Sequence, residues 1–320
     1  MGRVGATLIG SALLAGLGLS LITVGAGGGP TKNGFDVGEA LISADAIVPG
    51  GPPRDGIPAL DAPTFVGSED APYLQDGDRV LGLLRHGIAR AYPIAILNWH
   101  EIVNDRVREE QVAITYCPLC GSGVAYVAEV HDRPLTFGVS GLLYNSDVLL
   151  YDRQTESLWS QILARAVSGP LKGQRLETIP IHHTTWSDWK TRHPDTTVLS
   201  RETGYRRDYT RDPYADYDKR AAVFFPVAAE DARFHPKEPV IGLEIEGTFK
   251  AYPFSELERT DGEVRDSVAG REVLVRFDPE HRTGSVHDAS GQILPTITVY
   301  WFAWYAFHPD TAVFDAAGAR

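Results

Sequence analysis

The chain has little of the chemistry that sulfur provides. Its 320 residues contain two cysteines and one methionine, Met1. Because this methionine is the first residue of the chain, a blue-copper centre with an axial methionine ligand is excluded. No cysteine lies near the N-terminus, which excludes a lipid-modified N-terminal cysteine. Any sulfur chemistry in this protein is therefore confined to Cys117 and Cys120.

Positive charge is also scarce. Lysine and arginine total 30 against 42 aspartates and glutamates, which gives a formal net charge of -12. A protein that binds nucleic acid needs a basic surface, so we predict no nucleic-acid partner and interpret the acidity as a source of solubility. Three motifs are absent as well: a Gly-rich phosphate loop, a Gly-X-Ser-X-Gly elbow and a His-Glu-X-X-His zinc motif.

The composition is typical of a packed globular protein. Hydrophobic residues make up 43% of the chain and aromatic residues 10%. The 32 glycines and 21 prolines indicate many turns, so we predict a mainly β fold of the β-rich α+β type. The length suffices for one large domain or two smaller ones.

One long apolar run occurs, over residues 4–24, after a single arginine and before small residues at 24–26. This pattern is typical of a secretory signal peptide, and its length also suits an uncleaved membrane anchor. We therefore assign residues 1–27 to a signal peptide or anchor. Both predict an extracytoplasmic protein, secreted, periplasmic or membrane-tethered. It would contact a membrane only through this segment, if the segment is uncleaved.

The most distinctive stretch joins a predicted strand to a tight turn that carries both cysteines. Residues 112–116 are mostly apolar, and Cys-Pro-Leu-Cys-Gly follows at 117–121. Proline and glycine force a reversal that presents both sulfurs on one side of a corner. Upstream, the patterns predict a hairpin over 79–93 and a helix over 94–103 that carries His100.

The sequence also contains an internal repeat. Residues 239–253 match residues 79–93 at an offset of 160 and retain their Gly, Leu, Gly and Ala-Tyr-Pro positions. Residues 186–196 recur as 301–311 at an offset of 115. We therefore predict two related β-rich units that pack as one compact body.

The repeat divides the chain and identifies candidate functional positions. The predicted segments are a linker and extended leading segment (28–74), a first unit (75–200), a connector (201–238) and a second, degenerate unit (239–320). Three first-unit residues align with other residue types in the second: Cys117 with Asp278, Cys120 with His281, and His100 with Thr260. The His-Pro-Asp-Thr sequences that begin at 193 and 308 occur in both units and are predicted to be structural turns. Regular tyrosine spacing in the connector indicates a strap across a surface.

The first unit is longer by about 45 residues, and the extra length follows Cys120. Its residues 145–161 are dense in polar side chains, which predicts a polar pocket. Three carboxylates there are candidate catalytic acid–base residues: Asp147, Asp152 and Glu156. The alternative is a hairpin held by Asx turns and an Arg–carboxylate pair.

Taken together, these motifs resemble a bacterial and archaeal family known as domain of unknown function 3179. The resemblance covers roughly residues 75–315 and implies family membership without an activity. It rests on five stretches: Asn98-Trp99-His100-Glu101, Thr115-Tyr116-Cys117-Pro118-Leu119-Cys120-Gly121, Phe137-Gly138-Val139-Ser140-Gly141-Leu142, Asn145-Ser146-Asp147 and Tyr151-Asp152-Arg153-Gln154-Thr155-Glu156-Ser157.

Three functions suit the cysteine corner. The first is binding of one transition metal ion (copper, zinc or iron) by Cys117, Cys120 and His100. Asp147 or Asp152 would complete the ligand shell or act as acid or base. A Cys₂His set leaves one coordination position open, so if the protein is an enzyme we predict a metal-dependent oxidoreductase with a small-molecule substrate. The alternative is a metal-binding or redox-accessory protein without turnover.

The second function is thiol–disulfide exchange. It requires a helix after the corner to lower the pKa of the first thiol, whereas residues 121–127 are predicted to form a strand. The third is a structural disulfide in a non-catalytic ligand-binding protein. A loop closed between residues 117 and 120 adds little stability, so this role explains the pair poorly. The metal site is the working hypothesis.

Overall fold

The computed structural model describes residues 29–318. Strands account for 41% and helices for 11% of the described residues, which confirms the predicted β-rich class. The α-helices are α1 (Ile94–His100), α2 (Trp186–Arg192), α3 (Phe254–Leu257) and α4 (Trp301–Phe307), with 3₁₀ turns at Ala44–Ala46 and Ser68–Asp70. The strands are β1 (Thr31–Lys32), β2 (Phe35–Asp36), β3 (Ile47–Pro49), β4 (Phe65–Gly67), β5 (Arg79–Arg85), β6 (Ile88–Pro93), β7 (Ile102–Val107), β8 (Glu110–Cys117), β9 (Ser122–Val127), β10 (Glu129–Val130), β11 (Arg133–Pro134), β12 (Phe137–Tyr144), β13 (Asp147–Asp152), β14 (Leu158–Ser160), β15 (Arg165–Ser168), β16 (Glu177–Ile179), β17 (His182–Thr185), β18 (Thr197–Leu199), β19 (Pro239–Ile245), β20 (Thr248–Pro253), β21 (Glu263–Val268), β22 (Arg271–Asp278), β23 (Thr283–Asp288), β24 (Ile297–Tyr300) and β25 (Ala312–Val313).

Four sheets contain most of these strands. The largest has eight strands, in the order β25-β20-β19-β24-β9-β8-β7, with β16 also paired to β9. A five-stranded sheet has the order β17-β5-β6-β18-β4, and a three-stranded sheet the order β21-β22-β23. A second five-stranded sheet, β15-β14-β13-β12-β3, is formed mainly by the extra length that follows Cys120.

The two predicted units share one pattern of strand pairing. In the first, β5 pairs with β6 and β17, and β6 pairs in parallel with β18. In the second, β19 pairs with β20 and β24, and β20 pairs in parallel with β25. This agreement supports the repeat, which itself stays a prediction from the sequence.

A glycine and a tryptophan meet at the same place in each unit. A Cβ atom on Gly82 would lie 2.3 Å from the ring of Trp189, and one on Gly242 would lie 2.2 Å from the ring of Trp304. The indole N–H groups donate to Thr196 and Thr311, each at 2.9 Å. The threonine of each His-Pro-Asp-Thr sequence therefore anchors a tryptophan in the core, as a structural turn would.

The two predicted units meet within the largest sheet. Strand β24 of the second pairs with β9 of the first through Thr298 and Gly123. One apolar cluster spans the junction and contains Cys117 and Cys120 together with Trp301 and Trp304. The cysteine corner consequently lies where the two units share a core.

Residues 28–74 were predicted to be a linker and leading segment because of their prolines and glycines. The structure instead packs much of the described part, from residue 29, onto the protein. Strand β3 pairs with β12, and Phe35, Val37 and Ile47 are buried. These apolar side chains fill a cluster with the β12–β13 hairpin, which a prediction from composition missed.

The connector, residues 201–238, forms neither helix nor strand and lies across the protein surface. Its own Tyr209 and Tyr217 side chains are buried, and Trp99 donates to the Arg211 carbonyl at 3.1 Å. The predicted signal peptide or anchor, residues 1–27, lies outside the described residues. Within residues 29–318, every helix is too short or too polar to cross a membrane.

Candidate metal centre

The cysteine corner is a tight turn between β8 and β9. Cys117 ends β8 opposite Ser122, and the Cys120 N–H donates to the Cys117 carbonyl at 3.2 Å. Gly121 has φ +59°, a conformation that favours glycine. The Tyr300 N–H of the second unit donates to the Cys120 carbonyl at 2.8 Å. A strand follows the corner, as predicted, so no helix N-terminus lies behind the thiols.

A buried polar network holds the two strands beside this corner. The Gln161 side chain accepts from the Ser122 hydroxyl at 2.6 Å and donates to the Thr115 hydroxyl at 2.9 Å. The Gln161 carbonyl accepts from Tyr126. Gln161 belongs to the stretch predicted to line a pocket, but its polar groups are occupied by these bonds. We therefore interpret it as a support for the corner.

The β12–β13 turn brings a second chain segment to the sulfurs. Asn145 and Ser146 both have positive φ, +52° and +65°, which makes the reversal tight. The Asn145 amide donates to the Ala306 carbonyl at 3.0 Å and accepts from the Ala228 N–H at 2.9 Å. The Ser146 carbonyl lies 3.4 Å from the Cys120 sulfur and 3.9 Å from the Cys117 sulfur.

Cys117, Cys120 and Asp147 form a compact group of potential ligands. One donor atom from each lies within 4.8 Å of the other two, and the residues are 2%, 0% and 1% exposed. Both cysteines are free thiols. One Asp147 carboxylate oxygen accepts from the Ile162 N–H at 3.1 Å, whereas the other oxygen and the Ser146 hydroxyl have no hydrogen-bond partner among the described residues. Buried polar atoms without partners are rare and costly, so this group has unfilled bonding capacity.

Burial controls the protonation of these groups. Removal from water raises the pKa of Asp147 to about 7, although backbone N–H groups oppose the change. Glu101 has its pKa raised to about 8 by burial and by the nearby Asp147 charge. Burial also raises the pKa of Cys117, and that of Cys120 well above its ordinary value. Without a cation, the thiols are therefore neutral at pH 7.

Aromatic residues and one lysine surround the group. Tyr217 is 3% exposed, and its hydroxyl has no hydrogen-bond partner among residues 29–318. The Lys237 ammonium lies 4.2 Å from the centre of the Tyr217 ring. Burial lowers the pKa of Lys237 to about 8, while the neighbouring Cys120 opposes this change. Tyr217 and Lys237 of the connector therefore lie near the buried thiols.

His100, the predicted third ligand, is buried but lies outside the group. Its Nδ1 is 2.7 Å from the Pro58 carbonyl, and its Nε2 is 2.6 Å from the Tyr209 hydroxyl. Both ring nitrogens are therefore occupied by local partners. The structure brings Asp147 to the thiols in its place.

The other two predicted catalytic residues lie at the far end of β13 from Asp147. Asp152 accepts from the Thr155 N–H at 2.6 Å and from the Trp159 indole at 2.9 Å. Glu156 is on the surface and pairs with Arg54 at 2.8 Å. The structure does not bring either residue to the cysteines. Their end of the hairpin has the Asx turn and Arg–carboxylate pair of the alternative interpretation.

Sequence reasoning missed Glu101 and Ser146. Glu101 follows the helix that carries His100, and its φ of +58° ends that helix three residues earlier than predicted. Ser146 lies inside the Asn-Ser-Asp sequence that was already singled out. Adjacency to a candidate ligand was the available signal in both cases.

The equivalent corner of the second unit forms without cysteine. The Asp278 carboxylate accepts from the Glu280 N–H at 2.9 Å and from the His281 N–H at 3.3 Å, which caps the turn. Asp278, His281 and Asp188 also lie close together. Arg192 and Thr184 occupy the Asp188 carboxylate, however, so its charge is already balanced. The cysteines of the first corner are therefore not required to make the turn.

Comparison with known proteins gives a family and no activity. No curated protein and no solved structure matches the chain. One family model, described as a protein of unknown function, DUF3179, matches residues 54–311. Because this match covers most of the sequence, the chain belongs to the DUF3179 family.

Proposed function

We propose that the protein binds one transition metal ion at Cys117, Cys120 and Asp147. The observation that carries this proposal is one carboxylate oxygen of Asp147 that has no hydrogen-bond partner among the described residues and lies beside two free thiols. Asp147 itself is 1% exposed. A buried carboxylate without a full set of partners is unfavourable, and a cation would satisfy it together with the thiolates.

The donor set suits zinc, iron or copper. Ligands about 2.0–2.3 Å from a tetrahedral ion lie about 3.3–3.8 Å apart, which the present separations allow with little movement. Thiolate ligands select these ions over calcium or magnesium. Metal binding would displace the protons of the two thiols, and its free energy would offset the cost of deprotonating groups whose pKa values burial has raised.

Three protein ligands leave one coordination position open, which is typical of catalytic sites. We therefore propose a metal-dependent oxidoreductase with a small-molecule substrate as the activity to test first. Glu101 is the candidate acid–base residue, because burial and Asp147 raise its pKa to about 8, which keeps the carboxyl group mostly protonated and able to donate a proton at pH 7.

Thiol–disulfide exchange is less well supported. A reactive cysteine has a lowered pKa and some exposure, whereas Cys117 and Cys120 are buried and burial raises their pKa values. A structural disulfide is not formed in the structure. Both stay alternatives that the following experiment can select.

The test is metal analysis of protein purified from the cell fraction in which it resides. We expect recovery from the extracytoplasmic fraction, with about one equivalent of a transition metal. Cys117→Ser and Asp147→Asn are expected to lower the metal content at least tenfold. Asp216→Asn, the same change at an exposed surface carboxylate, should retain it.

A further variant separates the two ligand hypotheses. His100→Gln should keep its metal, because the imidazole is occupied by Pro58 and Tyr209. Loss of metal in this variant with full retention in Asp147→Asn would restore His100 as the ligand. Metal-free protein with a Cys117–Cys120 disulfide would contradict the proposal, and thiol-exchange activity in that sample would favour the second function. Recovery in the cytoplasm would contradict the proposed location.

A further inference from the structure

A cavity of about 390 Å³ lies next to the cysteine corner, between the two units. Arg79 and Tyr116 line it from the first unit, and Tyr300 from the second. Gly121 brings the backbone of the corner to its wall, and Lys237 contributes the end of the connector. Most of the charged groups in this lining are cationic, although the whole protein carries a formal charge of -12.

Arg79 is largely buried in this wall with neutral partners. Its guanidinium donates to the carbonyls of His281 at 2.6 Å, His183 at 2.8 Å and Arg282 at 3.1 Å. No carboxylate among the described residues forms a salt bridge with it. A guanidinium has five N–H donors, so these three bonds leave two unused. Burial lowers the pKa of Arg79 to about 10, which keeps the side chain cationic at pH 7.

Lys237 is a second cation without a counter-ion in residues 29–318. It is 3% exposed and donates to the Ala222 carbonyl at 3.0 Å. By contrast, the third cation of the lining, Arg282, pairs with Glu258 at 3.0 Å. Asp218 is the carboxylate that lines the cavity. Two unpaired cations and one carboxylate leave a positive excess, and buried charge is unfavourable unless it is compensated.

Neutral donors add to these cations. The phenol groups of Tyr116 and Tyr300 line the cavity without side-chain hydrogen bonds to other described residues. The Nδ1 atom of His183, which donates in one of the two neutral tautomers, is buried and also has no partner in the described chain. Such donors suit an acceptor with several oxygen atoms that the protein does not itself supply.

We propose that this cavity binds a small oxyanion, a carboxylate or phosphate group, through Arg79, Lys237 and the Tyr300 hydroxyl. The anion would neutralise the two unpaired cations and accept the unused N–H and O–H donors. This ligand site uses none of the three proposed metal ligands, and Lys237 borders both the cavity and the thiols. It lies against the same turn, so its occupant would be held beside that centre.

The experiment is isothermal titration calorimetry of the full chain with sodium phosphate and, separately, sodium acetate, against sodium chloride at matched ionic strength. We expect saturable binding of at least one oxyanion. Tyr300→Phe, which removes one oxygen atom, and Lys237→Met should each weaken binding about tenfold or more. Lys219→Met, the same change at an exposed connector lysine, should leave it within about twofold.

The arms of the experiment separate the ligand sources and the two proposals. Stronger binding of acetate or of phosphate identifies the occupant as a carboxylate or a phosphate. Cys117→Ser should lose the metal and still bind the oxyanion. Metal content and oxyanion binding are therefore measured separately, and failure of the metal proposal would leave the oxyanion proposal standing. Absence of saturable binding to both anions would overturn the inference. Unchanged binding in Tyr300→Phe would do the same, and this variant remains informative if Lys237→Met does not fold.

Discussion

At the scale of single residues, the chemistry of the site depends on the carboxylic acid of Asp147. Two effects compete there: burial favours the neutral acid, whereas the Ile162 and Val148 N–H groups and the neighbouring thiols favour the anion. Burial is larger, so the pKa rises to about 7. A bound cation would reverse this balance, because it interacts with the anion alone. The same residue should therefore respond to pH in opposite ways with and without metal.

This reversal gives a prediction for the stability of the metal-free protein. Below pH 3.8, the ordinary value, Asp147 is protonated in both the folded and the unfolded chain. As the pH rises to about 7, the unfolded chain releases the proton while the folded chain keeps it, so the free energy of unfolding falls. The loss from this group is up to about 4 kcal/mol. Urea denaturation with chelator should show Asp147→Asn about 1–4 kcal/mol more stable than wild type at pH 8, and little different at pH 4.

The metal-loaded protein provides the opposite outcome. Its free energy of unfolding should rise with pH across the same range, because metal and protons compete for the ligands. Asp147→Asn should lose this gain. Equal pH profiles with and without metal would show that the ion binds elsewhere.

Only part of the candidate site could be predicted from the sequence. Cys117 and Cys120 are three residues apart in a proline–glycine turn, so local geometry alone places their sulfurs together. Asp147 was predicted, with Asp152, as a residue that could complete the ligand shell, but it reaches the thiols through the packing of a separate sheet, which no local pattern specifies. His100 was preferred because it occurs in the first unit alone, yet its ring is directed to Pro58 and Tyr209.

At the scale of elements, hairpin turns position the ligands. The β8–β9 turn carries the thiols and the β12–β13 turn carries Ser146 and Asp147. Each turn contains one or more residues with positive φ and makes a hydrogen bond with the second unit. In the β8–β9 turn the Cys120 carbonyl accepts from the Tyr300 N–H, and in the β12–β13 turn the Asn145 amide donates to the Ala306 carbonyl. Hairpins at 79–93 and 110–127 were predictable because alternating apolar residues flank Gly-containing turns.

Substitution of Gly121 tests how closely the corner must be held. Alanine at this position has an unfavourable φ of +59°, and its Cβ would lie 2.8 Å from the Tyr300 ring. We expect Gly121→Ala to destabilise the protein by about 2–4 kcal/mol and to lower its metal content. Thermal denaturation and metal analysis measure the two effects.

Gly87 is the matched control for this substitution. It has φ +74° in the β5–β6 turn, and a Cβ there would have no neighbour within 4 Å. Gly87→Ala should cost only the conformational part, about 1–2 kcal/mol, and retain the metal. Equal losses of stability and metal in the two variants would show that the Tyr300 contact does not position the corner.

At the scale of the whole molecule, the two predicted units share one sheet and one core. The eight-stranded sheet runs through both, and the core around the thiols includes Trp301 and Trp304 of the second unit. A repeat detected in sequence predicts two similar units, but it cannot specify which strands join them. That joint is the pairing of β9 with β24, next to the cysteine corner. The site of the first unit is therefore completed by the second.

Shared packing predicts that the thiols become accessible when the second unit is weakened. Trp301 is fully buried in the cluster that contains both cysteines. Trp301→Ala should lower the free energy of unfolding by about 3–5 kcal/mol and shift thiol exposure to lower urea by the same amount. Reaction with a thiol reagent and circular dichroism, followed across one urea series, should give coincident transitions. Leu84→Ala, at a side chain 50% exposed in the first unit, should change neither midpoint appreciably. If the first unit could hold its corner alone, the thiols of Trp301→Ala would stay protected to the wild-type urea concentration.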